Sequence, residues 1–373
     1  MSFTKTIKDI FSIEELKNKI LLTIGLIAVY RFMAAVPLPG IDPLQLTALK
    51  DSASDGGLLG LLNAFTGGAF ARASVMALGI MPYISASIVV QLMGIAIPYL
   101  QKLQKDGESG RKKITQITRW LTIAITLVQA PTYITAIKTQ FGLGPEAFLV
   151  SGPIFWVSSI IILTAGTIFA MWLGERITER GIGNGISLII MIGIMSRLPT
   201  VIISEVALIN EGVRNLLSEL ILLGIMFVII AFVVYLTQGT RKIPVQYAKR
   251  VVGRKVYGGQ STHIPLRVNT AGVMPIIFAQ SIMFLPSTIA MFFIDSEFMQ
   301  GVMRWFSFDH PFYWFVFGTL IVFFTYFYTA IAFDPVQVST QMKQQGGFIP
   351  GIRPGKKTAD YIDNILTRVT LPG

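Results

Sequence analysis

The chain has 373 residues, of which 53% are hydrophobic and 14% charged, with a net charge of +11 and no cysteine. Soluble domains carry about 25% charged residues. A mean hydropathy of +0.63 therefore excludes a soluble protein of two or three domains and predicts a polytopic membrane protein. The lack of cysteine excludes disulfide frameworks and thiol catalysis, and the N-terminus shows no pattern of a removable signal peptide.

Eight apolar segments are long enough to cross a bilayer, because a hydrocarbon core of about 30 Å needs roughly 20 helical residues. Ahead of them, apolar positions at helical spacing within residues 1–19 predict an amphipathic helix on the membrane surface. The alternative is that this helix extends span one. The predicted spans are residues 20–38, 74–100, 117–137, 153–173, 182–200, 216–237, 270–294 and 311–333.

The basic residues are divided unevenly between the two sides of these spans. Of 31 Lys and Arg, 24 lie in the N-terminal segment, in the loops after spans two, four and six, or in the final tail. The positive-inside rule therefore predicts a cytoplasmic N-terminus. Arg31 falls within span one, and the six basic residues on the opposite side are Lys50, Arg72, Lys138, Arg197, Arg214 and Arg304.

Spans two and seven contain a short internal repeat at an offset of 193 residues. The two spans cross in opposite directions, which predicts an all-α channel or transporter built from two five-span halves in inverted orientation. A complete second half would need two spans after span eight, so we expect the chain to lack them. The matched residues are Gly79, Met81, Pro82, Ile84 and Ala86 against Gly272, Met274, Pro275, Ile277 and Ala279.

Ionisable groups are nearly absent at membrane depth. The spans contain essentially one, Arg31, and no buried Asp, Glu or His. Coupled transporters need such groups to bind ions or relay protons, which argues against a secondary solute transporter, the main alternative. An intramembrane enzyme is a third class, and no catalytic dyad, HExxH motif or complete nucleotide-binding loop supports it. We therefore predict no catalytic residue, metal site or cofactor.

Five runs of sequence resemble the SecY/Sec61-alpha family of protein-conducting channels. They are ALGIMPYISASI (77–88), WLGERITERGIGNGIS (172–187), QSTHIPLR (260–267), NTAGVMP (269–275) and PGIRPG (350–355). The family has ten spans, of which this chain would contain eight. The resemblance implies two halves, residues 20–200 and an incomplete 201–373, around a pore that passes unfolded secretory polypeptides and releases membrane segments laterally into lipid.

The resemblance also implies three sets of residues within the membrane. A ring of aliphatic side chains would close the pore, since an apolar constriction excludes ions by dewetting. A short, weakly held helix between glycines, at about 57–72, would plug it, although a re-entrant or surface loop is the alternative. Polar residues would line a lateral gate, unless they serve only as interhelical hydrogen-bond partners. The ring is Ile84, Ile88, Ile186, Ile190 and Ile277; the plug Leu58, Leu59, Leu62, Asn63, Phe65 and Thr66; the gate Ser87, Gln91, Gln129 and Asn269.

Two basic loops, residues 238–269 and 334–368, are the docking surfaces that the resemblance implies. Positive charge there also serves topology, but it suits the phosphates of ribosomal RNA and the SecA motor ATPase. Arg254, Lys255 and Arg353 are the predicted contacts. Further implied partners are the SecE and SecG subunits, signal peptides, nascent secretory chains and membrane lipid, in the bacterial cell (inner) membrane.

Overall fold

Helices make up most of the computed structural model, which describes residues 12–42, 46, 63–139, 148–149, 152–212, 214–247, 250–252, 255–257, 261–292, 297–306 and 310–371. Contacts between residues divide the chain into two compact units. The first unit is Met1–Val206 with Ser281–Trp314, and the second is Ala207–Gln280 with Phe315–Gly373. The halves predicted from the sequence, 20–200 and 201–373, stay a prediction.

Along the chain, a long series of helices is followed by a group of short strands and then by further helices. The first series is α1 (Glu14–Met33), α2 (Met81–Ala96), α3 (Pro98–Lys105), α4 (Gly107–Thr139), α5 (Pro153–Arg180), α6 (Gly185–Met195), α7 (Leu198–Asn210) and α8 (Leu216–Gln238). Next come β1 (Thr240–Tyr247), β2 (Arg250–Val252), β3 (Lys255–Tyr257) and β4 (Ser261–Arg267). The last group is α9 (Met274–Phe292), α10 (Glu297–Trp305), α11 (Pro311–Ala332), α12 (Pro335–Gln344), β5 (Gly347–Phe348) and α13 (Lys356–Thr370).

Five helical stretches among the described residues are long and apolar enough to cross a bilayer. They coincide with predicted spans three, four, five, six and eight, and a bent pair formed by α2 and α3 raises the number to six. The predicted total of eight spans is not confirmed. The five stretches are Gly107–Lys138, Pro153–Arg180, Gly185–Asn210, Leu216–Gln238 and Pro311–Gln344.

Span two, predicted as one helix over 74–100, is interrupted at both ends. Residues 75–80 form turns, and the two helices that follow meet at an angle of 104°. Pro98 causes the bend because it has no amide hydrogen and disfavours helical geometry in the residue before it. Ile97 accordingly has an extended backbone, with φ −104° and ψ 115°.

The N-terminal helix α1 begins at Glu14 and continues past residue 19 into predicted span one without a break. Residues 1–11 of the predicted amphipathic helix lie outside the described residues. At the exposed start of α1, Lys19 Nζ donates a hydrogen bond of 2.8 Å to Glu15 Oε1. This bond and the positive charge of Lys19 lower the pKa of Glu15.

The core of the first unit lies where α4 and α5 meet the turns that precede α2. Tyr133 on α4 is buried, and its hydroxyl donates a 2.8 Å hydrogen bond to the carbonyl oxygen of Phe70. The two rings also pack edge to face, with centroids 4.9 Å apart. The end of α4 that carries Tyr133 is therefore the end that contacts residues 70–73.

The other end of the α4–α5 pair is joined by an ion pair between Arg119 and Glu175. Arg119 Nε donates to Glu175 Oε1 at 3.1 Å, and Nη2 donates to Oε2 at 2.5 Å. Glu175 is 14% exposed and Arg119 39% exposed. A two-pronged contact of this kind holds the relative position of both helices more firmly than a single bond.

The turn between α5 and α6 accounts for the glycine-rich run at residues 181–185. A Cβ atom at Gly185 would strike the carbonyl oxygen of Gly174 and lie 2.7 Å from Cβ of Ile177, so the two helices approach with their backbones nearly in contact. Asn184 caps α6 by accepting hydrogen bonds from the amides of Ile186 (3.1 Å) and Ser187 (3.3 Å). Gly185 therefore serves helix packing, whereas Gly183, with φ of 68° and nothing within 4 Å of an added Cβ, serves the turn.

The second unit contains a small antiparallel sheet in the order β4–β1–β5. Thr240 pairs with Arg267 and Gln246 with Ser261, so predicted loop 238–269 is largely a β-hairpin. The all-α class therefore needs a correction here. Alternating apolar residues of β1 face a core shared with α12 and α13, which explains why this hydrophilic segment folds as strands. That core consists of Ile243, Val245, Leu266, Met342, Ile349 and Ile362.

We expect Arg119→Gln to lower the free energy of unfolding by about 2 kcal/mol, because Glu175 would lose both charged hydrogen bonds while it stays mostly buried. Lys112→Gln is the matched control. Lys112 pairs with Glu108, but both side chains are more than three-quarters exposed, so its loss should change stability by less than about 0.5 kcal/mol. Unfolding by denaturant in detergent micelles measures both. Equal effects would contradict a structural role for the Arg119 pair.

Candidate functional site

The internal repeat has the same local structure in both copies. α2 and α9 begin at the matched residues Met81 and Met274, each followed by a proline. The glycines two residues earlier, Gly79 and Gly272, both have left-handed backbones, with φ of 54° and 63°. Ile84 therefore occupies the same position on α2 as Ile277 does on α9.

The ring residues of the first unit lie in two pairs. Ile84 and Ile88 are one turn apart on α2 and are 7% and 3% exposed, and Ile186 and Ile190 are one turn apart on α6 and half-buried. Residues four apart share one face of a helix, so each helix presents two aliphatic side chains on one side. Ile277 is half-buried in the second unit. That all five surround one pore stays a prediction.

Only part of the predicted plug is described, since Leu58, Leu59 and Leu62 lie outside the described residues. Residues 63–65 form a helical turn, and turns continue to residue 73. Inside the segment, Asn63 Oδ1 accepts from the Ala71 amide at 3.1 Å, and Thr66 Oγ1 accepts from the Phe70 amide at 3.2 Å. Phe65 is half-buried between them.

The same segment is also bonded to its neighbours. Arg31 Nη1, near the end of α1, donates a 3.1 Å hydrogen bond to the carbonyl oxygen of Gly67. A Cβ atom on Gly67 would lie 3.0 Å from Cα of Gly193 on α6. The sequence predicts a weakly held helix, whereas residues 63–73 are tied to α1, α4 and α6. Any displacement of these residues would have to break those contacts.

The predicted gate residues make local contacts. Gln91 Nε2 donates to Ser87 Oγ at 3.3 Å along α2, and Asn269 Oδ1 accepts from the Gly272 amide at 2.7 Å in the turn before α9. Gln129 is half-buried on α4. The contact between Ser87 and Gln91 lies within one helix, so it does not join two helices. Their role at a gate stays a prediction.

The predicted docking residues belong to the second unit. Arg254 lies outside the described residues, and Lys255 begins β3. Arg353 lies in an exposed turn between β5 and α13, where its carbonyl oxygen accepts a 2.9 Å hydrogen bond from Thr358 Oγ1. Gly351 and Gly355 on either side have left-handed backbones, with φ of 83° and 106°. The run PGIRPG therefore fixes a tight turn that exposes the Arg353 side chain.

Three residues that organise the first unit were not predicted as contacts from the sequence: Arg31, Arg119 and Glu175. Arg31 stands out in the sequence only as the basic residue of span one, and its partner Gly67 carries no recognisable signal. Glu175 could have been recognised from the sequence, because an acidic residue in a long apolar helix needs a partner.

Within the described ranges, no group of three or more His, Asp or Glu side chains could hold a metal ion.

Together these features define a mostly helical, multi-pass membrane protein. Solved structures show the same fold: a protein-conducting channel matches with a TM-score of 0.62 at 18% identity, over 95% of this chain and 82% of that one. Sec61 in the canine ribosome–channel complex from the endoplasmic reticulum matches with a TM-score of 0.54 at 18% identity, over 95% and 81% of the two chains.

Sequence comparison identifies the family. The SecY family model matches residues 74–373. The chain is 43% identical over 363 residues to protein translocase subunit SecY of Escherichia coli (strain K12), a match that covers 96% of this chain and 81% of that protein. The chain therefore belongs to the SecY family, and the resemblance of its five sequence runs is confirmed.

We expect Gly67→Ala to destabilise the first unit by about 2–4 kcal/mol. A left-handed backbone costs alanine roughly 1–2 kcal/mol, and the new methyl group would strike Arg31 and Gly193. Gly183→Ala, in the same unit, is the control, because its φ of 68° is similar but nothing lies within 4 Å of the added carbon. Unfolding by denaturant in detergent should show the smaller loss for Gly183→Ala. Equal losses would mean that the close packing at Gly67 contributes nothing.

Proposed function

We propose that this chain is the channel-forming subunit of a bacterial-type protein translocase. It would pass unfolded secretory polypeptides across the cell membrane and release hydrophobic segments sideways into lipid. Membership of the SecY family carries this proposal, since relatives of that family are named as translocase subunits. The chain would have no catalytic residue of its own, so the energy for transport would come from SecA or the ribosome.

The proposed seal is the aliphatic ring of Ile84, Ile88, Ile186, Ile190 and Ile277. Branched hydrocarbon side chains offer water and ions no hydrogen-bond partner, so a narrow ring of them excludes ions by dewetting. They also make no specific polar contact with a passing chain, which suits a channel that must accept many sequences. The equivalent positions of Ile84 and Ile277 in the two repeat copies support a ring with contributions from both halves.

The proposed plug and gate complete the channel. Residues 57–72 would close the outer side of the ring, with Leu58, Leu59, Leu62, Asn63, Phe65 and Thr66 as its residues. Hydrogen bonds from Arg31 and Tyr133 to residues 67 and 70 support a stable closed position. Ser87, Gln91, Gln129 and Asn269 would border the lateral gate, where polar side chains weaken an apolar seam and so permit opening.

The proposed docking surface is formed by the basic loops at 238–269 and 334–368, on the cytoplasmic side in the predicted topology. Arg254, Lys255 and Arg353 would contact ribosomal RNA during co-translational export, because phosphate contacts dominate RNA binding of this kind. The likeness to Sec61 in a ribosome–channel complex supports this partner. SecA would use the same surface after translation, and SecE and SecG would be companion subunits in the membrane.

A photoreactive residue at Ile84 should crosslink to a secretory polypeptide stalled during export, because the ring must touch every passing chain. The same residue at Ile202 is the control. Ile202 is 54% exposed on apolar helix α7 and should meet lipid. Electrophoresis of the crosslinked products measures the yield. Crosslinking from Ile202 as strong as that from Ile84, or none from Ile84, would contradict the pore assignment.

We expect Arg353→Glu to reduce SecA-driven transport at least about tenfold, because reversing the charge turns attraction into repulsion at an exposed contact. Insertion of the channel should stay intact. Arg304→Glu, a change at an exposed arginine of α10 outside both basic loops, is the matched control. Transport of a secretory precursor into inverted membrane vesicles measures the effect. Normal transport by Arg353→Glu, or equal loss in both variants, would remove the docking role from Arg353.

A further inference from the structure

A polar cavity of about 320 Å³ lies in the first unit, between the segment at residues 63–72 and the junction of α6 with α7. We infer that this arginine cavity, bordered by Asn63, Gly68, Arg72, Ser196, Arg197 and Thr200, binds a phosphate oxyanion. The phosphate would belong either to the headgroup of an anionic lipid or to a free phosphate ion. The cavity is far larger than the roughly 10–15 Å³ that a single water needs, which leaves room for a phosphate group with a few waters.

The positive charge of the cavity needs an explanation, because basic residues are scarce on this side in the predicted topology. Two other basic residues on that side have partners. Lys138 Nζ lies 5.0 Å from the centroid of the Phe148 ring, and Arg214 pairs with Glu219 at 3.6 Å. Arg72 and Arg197 instead border the same cavity.

Among the described residues, no carboxylate lies within ion-pair distance of Arg72 or Arg197. Like charges that share a partly buried site repel each other. The planar, forked donors of a guanidinium match the oxygens of a phosphate. An oxyanion between the two side chains would therefore remove the repulsion and use their donors.

The backbone around Arg72 is shaped to receive its side chain. Gly68 has a left-handed backbone with φ of 86°, and a Cβ atom there would lie 3.3 Å from Arg72 Nη2. The absence of a side chain thus lets the guanidinium lie close over the main chain. The carbonyl oxygen of the preceding residue, Gly67, accepts the hydrogen bond from Arg31. A third guanidinium therefore adds its positive charge to the same segment.

Asn63 adds a neutral donor. It is 3% exposed, and its Oδ1 accepts from the Ala71 amide, so the amino end of the side chain is the donor end. Ser196 and Thr200 already donate to carbonyl oxygens of their own helix segments, each at 2.7 Å. The two arginines and Asn63 therefore supply the contacts to the anion, and the hydroxyl groups form a polar wall.

The surface beside the cavity favours a lipid as the source of the phosphate. α7 begins at Leu198, directly after Arg197, and its side chains Val201, Ile202 and Ile203 are 52%, 54% and 69% exposed. An anionic phospholipid with its phosphate in the cavity would lay an acyl chain along this apolar surface. Basic side chains at the ends of membrane helices are suited to such headgroups. The site does not depend on the proposed channel activity.

The test uses the protein in its membrane complex, purified in detergent and titrated separately with phosphatidylglycerol, phosphatidylcholine and inorganic phosphate. A ligand that binds only the folded state raises the midpoint of thermal unfolding, and native mass spectrometry reports bound lipid. We expect Arg72→Gln and Arg197→Gln each to weaken binding roughly tenfold, the effect of losing one charged hydrogen bond. Arg72→Lys should retain part of the affinity, because it keeps the charge.

Arg304→Gln is the matched control, since Arg304 is an exposed arginine on the same predicted side but outside the cavity, and its binding should equal that of the unmodified protein. Arginine-dependent binding of phosphatidylglycerol alone would assign the site to lipid. Arginine-dependent binding of inorganic phosphate would assign it to the free ion. Equal binding by the unmodified protein, Arg72→Gln and Arg197→Gln, or no binding of either ligand, would overturn the inference. If Arg72→Gln does not fold, Arg197→Gln and Arg72→Lys decide the outcome.

Discussion

Close backbone approach at glycine is the constraint on which the first unit depends. Cβ atoms added at Gly166, Gly185 and Gly193 would meet the carbonyl oxygens of Val75, Gly174 and Phe65. Small residues permit such contact between membrane helices, where packing rather than hydrophobic transfer holds helices together. The position of α6, and with it Ile186 and Ile190, follows from these contacts. So does the position of the segment at residues 63–73 against α6.

Several polar contacts in this unit join parts of the chain that are distant in sequence. Arg119 and Glu175 fix one end of the α4–α5 pair, while Tyr133 and Arg31 bind the carbonyls of residues 70 and 67 near the other. A charged or polar group in an apolar surrounding is costly unless it is paired. These pairs therefore hold the segments that they join in position, and α2 and α6 themselves contain no charged residue.

The second unit combines apolar helices, α8 and most of α11, with a polar substructure. Hairpin β1–β4, strand β5 and helices α12 and α13 enclose their own core around Ile243, Val245 and Ile362. This core gives the long basic loops a defined shape. A hydrogen bond from Thr358 and two left-handed glycines fix the turn at Arg353. The exposed arginine side chain therefore extends from a defined turn.

The sequence by itself determined the apolar helices, the family and the matched positions of Ile84 and Ile277, because each is encoded in a contiguous run or a fixed offset. Pro98 also encodes the bend in span two, although the hydropathy pattern alone predicts one continuous helix there. Only the tertiary structure decided that residues 240–247 pair with 261–267, that Arg31 binds Gly67, and that Arg72 and Arg197 share a cavity. Such contacts join residues far apart in the chain, and no local pattern records which distant residues will meet when helices pack.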